Sequence, residues 1–149
     1  MGYHACMKTK FTVKEFNKEY LNDDKCLEAI WNARYGDLKV CPACNKATTF
    51  HKRTSKKAYS CANCGSLFSP LAGTIFHKSP TSLKDWFYAI YLFASSKNGV
   101  SGKELERQLG VTYKTAWRMA KQIRLLFTQS QNILGGTVEI DETYVGGKA

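Results

Sequence analysis

Apolar positions change their spacing along the chain. Between the two cysteine pairs they alternate with polar ones as strands do. Thr48, Thr49 and Phe50 lie on one side, Ala58 and Tyr59 on the other, and the polar run Arg53-Thr-Ser-Lys-Lys57 makes the turn. After Ser69-Pro70 and Pro80 the period lengthens to about 3.6 residues. Leu83, Trp86, Phe87, Ile90, Tyr91 and Ala94 then recur at helical spacing, which predicts a helix with its aromatics in a core. Ser82 is its expected N-cap, with Asp85 three residues on, and Lys97-Asn98-Gly99 is its stop signal. Ser101-Gly-Lys-Glu104 is a capping box for a short helix carrying Leu105 and Leu109, closed by Gly110-Val111. Thr112 caps a third helix whose expected apolar stripe is Ala116, Trp117, Ala120, Ile123 and Phe127. A short helix, a glycine turn and a longer helix predict a helix-turn-helix. Ala116 suits the close crossing, and Glu106 stands where a small residue is common. Near the end, Gly135-Gly136 reads as a turn, and Val138 and Ile140 as the start of a strand.

Composition narrows the class. The 149 residues are 44% apolar and 23% charged, which suits a folded chain of one domain or a few small modules. No apolar run reaches about 18 residues, so no transmembrane helix is predicted. Met1 to Lys10 lack the apolar segment of a secretory leader. The net charge is +10, the mark of a polyanionic partner, either nucleic acid or a membrane surface. Its distribution is uneven. Residues 1–40 carry seven basic and six acidic groups, residues 41–82 six and none, residues 83–134 eight and three, and residues 135–149 one and three. The middle of the chain is built to meet negative charge, and its last fifteen residues to meet cations.

Four of the six cysteines form two pairs, Cys41-Pro-Ala-Cys44 and Cys61-Ala-Asn-Cys64, with sixteen residues between them. Two residues between cysteines let both sulfurs converge on one ion, and this separation suits a four-thiolate structural zinc site. The chain must turn sharply after each pair, and Asn45 and Gly65 both tolerate the left-handed backbone this needs. The pattern predicts a zinc ribbon, two knuckles gripping one Zn²⁺. Disulfides in a secreted protein are the competing explanation; the missing leader and the unpaired-looking Cys6 and Cys26 argue instead for a reducing compartment. Cys6 and Cys26 are expected in loops or partial cores, because no His or Cys lies at ligand spacing beside either. His51 and His77 suit a mixed site, but four thiolates already fill a tetrahedral ion, and His4 is expected in solvent.

The outer face of the third helix offers Tyr113, Lys114, Arg118, Lys121 and Gln122, with Thr112 at its cap. These residues are the expected contacts to phosphates and base edges in a DNA major groove. A solvated Lys-rich face explains Lys121 and Arg124 equally well, but not the capping box, the turn glycine and the charge excess together. The tail Val138-Glu-Ile-Asp-Glu-Thr-Tyr-Val-Gly-Gly147 is short and acidic. By composition alone it reads as a frayed end. Its carboxylates suit a divalent cation, but such sites draw ligands from several elements.

Taken in order, these residues resemble the N-terminal part of a DDE-type insertion-sequence transposase with an N-terminal zinc ribbon, of the ISXO-like or Merlin-like group. The resemblance spans roughly residues 15–149. It rests on Cys26 and Trp31, the two cysteine knuckles, and Phe68-Ser69-Pro70 leading to Gly73-Thr74-Ile75-Phe76. It continues through Leu83 and Trp86, the run from Leu109-Gly110-Val111-Thr112 to Arg118-Met119, and the tail from Val138-Glu-Ile-Asp-Glu-Thr143 to Gly147. It implies that the ribbon and helix-turn-helix recognise terminal inverted repeats in double-stranded DNA. It also implies that a ribonuclease-H-like domain follows and that Asp141 is its first metal-binding carboxylate; Glu139 and Glu142 match the family without a catalytic role.

The implied chemistry is in-line displacement at phosphorus for strand cleavage and transfer, assisted by two Mg²⁺ or Mn²⁺ ions held by carboxylates from several places. A 149-residue chain that stops eight residues after Asp141 is expected to bind DNA without cutting it. The fold expected is α+β in small modules: a helical lead-in at 1–38, a zinc ribbon at 39–70, a helix-turn-helix region at 71–134, and the first strand of a truncated ribonuclease-H-like domain at 135–149. The resemblance further implies a homo-oligomer and, in a bacterial host, a cytoplasmic, nucleoid-associated protein with no membrane partner. The alternatives are a stand-alone zinc-ribbon and helix-turn-helix regulator, and a ribbon that mediates protein contacts.

Overall fold

The computed structural model describes residues 11–96 and 98–131. His4, Cys6, Lys97 of the expected stop, and the whole tail with Glu139, Asp141 and Glu142 lie outside the described residues. The elements in chain order are α1 (Val13–Glu19), α2 (Asp23–Tyr35), β1 (Phe50–Arg53), β2 (Ala58–Cys61), β3 (Leu67–Phe68), α3 (Leu83–Ser95), α4 (Gly102–Leu109) and α5 (Tyr113–Gln131).

Local chemistry sets the ends of these helices. Thr12 and Glu15 form a reciprocal capping box on α1, with the Thr12 N–H donating to the Glu15 carboxylate at 2.6 Å. Asn22 caps α2 by accepting from the Lys25 N–H at 3.0 Å, and Asp23 and Asp24 in the first turn suit the positive end of the helix. Ser82 accepts from the Asp85 N–H at 3.0 Å and starts α3 where the sequence places it. That helix ends at Ser95, ahead of the Lys97-Asn98-Gly99 stop, when the Ser96 N–H reaches the Leu92 carbonyl.

The three strands form an antiparallel sheet in the order β1-β2-β3. Phe50 pairs with Cys61, Arg53 with Ala58, and Tyr59 with Phe68. The first strand therefore runs later than the expected alternation from Thr48. Thr48 and Thr49 belong to the approach of the hairpin, where the Thr48 N–H donates to the Lys39 carbonyl and the Ala62 N–H to the Thr49 carbonyl. The turn is a single 3-10 turn at Thr54–Lys56, closed by Lys57 with φ 46°. β3 is two residues long, too short to leave an alternation in the sequence.

Two buried clusters organise the described residues. The first joins Cys26, Leu27, Ile30 and Trp31 of α2 to Tyr59 of β2 and Leu83 of α3. Trp31 lies flat on Tyr59, with ring centroids 4.0 Å apart. The second joins Trp86 and Ala89 of α3 to Val100, Leu105 of α4, and Ala116, Met119, Ala120 and Ile123 of α5. Phe76 packs against both clusters. Arg34 ties α2 to the following loop by donating to the Pro70 and Ala72 carbonyls. The Trp86 indole N–H donates to Ser79 Oγ at 2.9 Å.

On α5 the buried stripe is Ala116, Met119, Ala120 and Ile123, spaced i, i+3, i+4 and i+7. Trp117 and Phe127, expected in that stripe, are 51% and 38% exposed. Each residue turns the helix by about 100°, so the neighbour of a buried Ala116 faces outward. On α3, Ala89 occupies the core and Ala94 is exposed.

Candidate metal centre and nucleic-acid interface

The two cysteine pairs make matching turns. Cys41 donates its N–H to the Lys46 carbonyl at 3.0 Å, and its own carbonyl accepts from the Asn45 N–H at 2.8 Å. Cys61 donates to the Ser66 carbonyl at 3.0 Å and accepts from the Gly65 N–H at 3.0 Å. Asn45 with φ 53° and Gly65 with φ 71° take the left-handed backbone expected of them. The four sulfurs consequently converge, all within 4.8 Å of one another. Bonds of about 2.3 Å to a tetrahedral zinc place the sulfurs about 3.8 Å apart, and Cys41 Sγ and Cys64 Sγ are separated by 3.8 Å. The donor set and its spacing fit one structural zinc, with all four positions filled by protein. Among the described residues no other group of His, Cys, Asp or Glu side chains has this spacing, and His51 and His77 are both exposed away from it.

The surroundings favour thiolates at one knuckle. Thr48 Oγ1 lies 3.4 Å from Cys61 Sγ, and its hydroxyl pulls that thiol down to about 6. Ser66 Oγ, 3.2 Å from Cys64 Sγ, lowers Cys64 in the same way. At Cys44 the Lys46 N–H pulls downward, but burial and hydrogen bonds to the other three sulfurs prevail and raise it to about 11. A cation among four sulfurs reverses that balance and favours the thiolate at each.

The second candidate surface is the α4–α5 pair. Ser101 accepts from the Glu104 N–H at 3.1 Å to start α4. Gly110, with φ 66°, ends it by donating to the Glu106 carbonyl. Thr112 Oγ1 accepts from the Thr115 N–H at 3.4 Å at the start of α5. Glu106 is accommodated by an ion pair to Lys103 at 2.9 Å. The close approach of the two helices is at Gly102, which sequence reasoning passed over. A Cβ there would lie 3.3 Å from Tyr113 Cε2 and 3.7 Å from Trp117 Cα.

Of the residues proposed from sequence, Thr112, Tyr113, Lys114, Arg118 and Lys121 are exposed and Gln122 is half-buried. They divide into two groups. Tyr113, Lys114 and Lys121 occupy the open face. Arg118 turns toward the loop before α3, donating to Ser79 Oγ at 3.2 Å. With Gln122 it lines a cavity of about 600 Å³ floored by Phe76 and Trp86 and edged by Leu125 and Leu126. α5 carries Lys114, Arg118, Lys121 and Arg124 and no acidic residue. In contrast, part of the basic charge between the cysteine pairs is matched within the fold. Lys52 pairs with Asp24 at 3.1 Å and Lys57 with Asp23 at 3.4 Å. No described helix is long and apolar enough to cross a membrane.

Residues 21–66, from the end of α1 through the second knuckle, match the family of transposase zinc-ribbon domains. Over 130 residues the chain is 25% identical to an uncharacterised protein in a transposable element, ISH50, of Halobacterium salinarum. That alignment covers 86% of this chain and 44% of the relative, so the chain spans less than half of the relative's length. No solved structure matches the chain.

Proposed function

We propose that this chain, read as the N-terminal portion of an insertion-sequence transposase, binds duplex DNA at the terminal inverted repeats of its element. In this reading α4, the Gly110 turn and α5 are a helix-turn-helix, and α5 enters the major groove. The observation that carries it is the charge of α5, four basic residues and no acidic one. Lys114 sits in the first turn, where the helix end is already positive and a cation costs stability. A phosphate or base edge opposite that turn removes the cost. The zinc centre is structural in this reading, because four cysteines leave no open position for a substrate. It holds the sheet against α2, and the sheet holds α3.

The activity assigned by resemblance to the longer protein is strand cleavage and transfer. Asp141 supplies the first carboxylate for Mg²⁺ or Mn²⁺, and pairing of two element ends calls for a homo-oligomer. Such a protein works among nucleoid DNA.

The test is the zinc-loaded chain with Lys114 and Lys121, the two lysines of the open face, both replaced by Ala. Affinity for an inverted-repeat duplex is expected to fall at least tenfold. The slope of log affinity against log salt should become shallower by about 2, for two lost phosphate contacts. Unchanged affinity in a variant of unchanged circular dichroism overturns the assignment of α5.

A further inference from the structure

Resting on that reading, we infer that Trp117 is a base-contacting residue of α5, presenting its indole to the 5-methyl group of a thymine in the major groove. The chain has three tryptophans. Trp31 and Trp86 are buried, whereas Trp117 leaves 51% of its surface in solvent. Tyr113, one turn earlier on the same side, is 45% exposed. Two large, half-exposed aromatics side by side on one helix form an apolar patch on the surface of the described residues.

The surroundings of the patch select its partner. Lys103 Nζ stands 4.6 Å from the Tyr113 ring centre, and Lys121 Nζ 5.5 Å from that of Trp117. Lys114 follows Tyr113 on α5, and Lys103 is paired with Glu106 on α4. An apolar patch ringed by cations matches a surface that is anionic at its edge and apolar at its centre. A DNA groove has that character, with phosphates at its rims and thymine methyl groups on its floor. Position agrees as well. Residues in the first two turns of a recognition helix are those that reach base edges, and Tyr113, Lys114 and Trp117 occupy those turns. Gly102 lets α4 lie close against this side of α5, with the edge of the Tyr113 ring beside it, while Tyr113 and Trp117 each stay about half exposed to solvent.

The test uses duplexes selected by the wild-type chain from a pool with a randomised core. Each thymine of the selected sequence is replaced in turn by deoxyuridine, which deletes only the methyl group. Binding is followed by anisotropy of the labelled duplex and by tryptophan emission, read against Trp117→Phe to separate the exposed indole from the two buried ones. Wild-type emission is expected to change on binding. Trp117→Ala should weaken binding to the selected duplex about tenfold to a hundredfold with little change in salt slope, and Trp117→Phe should weaken it less. One deoxyuridine position should cost the wild type about fourfold, the worth of one buried methyl group, and cost Trp117→Ala nothing.

If the wild type binds but its emission is unchanged and Trp117→Ala binds equally well, the inference fails and the DNA-binding reading stands. If Trp117→Ala loses affinity but every deoxyuridine duplex binds as its parent does, the methyl contact is overturned. Loss of self-association in Trp117→Ala at unchanged DNA affinity assigns the indole to a protein interface and also overturns it. If the wild type binds no duplex, the proposed function itself fails and takes the inference with it.

Discussion

At the scale of single residues, the cysteines divide by environment. Cys26 lies in α2 with none of its surface exposed. Burial, reinforced by the nearby Asp23 charge, pushes its thiol up to about 11. A buried thiol that stays protonated is a poor nucleophile. In the native chain Cys26 should therefore resist iodoacetamide near neutral pH and react once denaturant is added; mass mapping of the alkylated peptides checks this. The sequence separated Cys26 from the metal set because nothing at ligand spacing stands beside it. It did not reveal that the residue belongs to a helix, since one cysteine carries no periodicity. Trp117 was misplaced for a related reason. Its hydrophobicity suggested the core, but helical angle decides which residue points inward, and Met119 holds the place the stripe needed.

At the scale of elements, the polar residues that start helices were easier to read than the apolar ones that pack them. Ser82, Ser101 and Thr112 cap where the sequence puts them, because a cap is a local hydrogen bond. Removing one should have a local price in stability. Ser101→Ala is expected to destabilise the chain by about 1 kcal/mol, read as a lower denaturant midpoint at unchanged slope. An unchanged midpoint would show that α4 is held by Leu105 and the α5 contact alone. The sheet was legible as a hairpin but not in its limits. The knuckles absorb Thr48 and Thr49 into their own hydrogen bonding, and β3 is fixed by pairing with β2 rather than by any pattern of its own. The closeness of α4 and α5 at Gly102 depends on a distance between helices, which no spacing within one helix encodes.

At the scale of the whole molecule, the two buried clusters meet in α3, which gives Leu83 to one and Trp86 to the other. The cysteine knuckles frame the sheet that completes the first cluster, so a metal held by the four sulfurs is linked to the Trp31–Tyr59 stack. A strong chelator should release about one zinc per chain and abolish the near-ultraviolet circular dichroism of that stack. The α3–α5 cluster contains no metal ligand and should keep most of its far-ultraviolet helical signal. Full loss of helix on chelation would show that the clusters fold as one unit. Charge summed by segment foretold a basic middle, yet it hid the pairing of Lys52 and Lys57 with the acids of α2. The structure therefore shifts the unbalanced charge toward α5, which carries no acid and, among the described residues, makes no ion pair.

The central claim is that this face meets DNA phosphates, and salt dependence tests it most directly. The affinity of the zinc-loaded chain should be measured for its own inverted-repeat duplex and for a scrambled duplex across a range of salt. Affinity for both is expected to fall linearly on logarithmic axes, by about 0.9 for each phosphate contacted, with the inverted repeat bound more tightly throughout. Binding that ignores salt, or that is absent at low salt, would contradict a DNA-binding role and leave the exposed face of α5 to a protein partner.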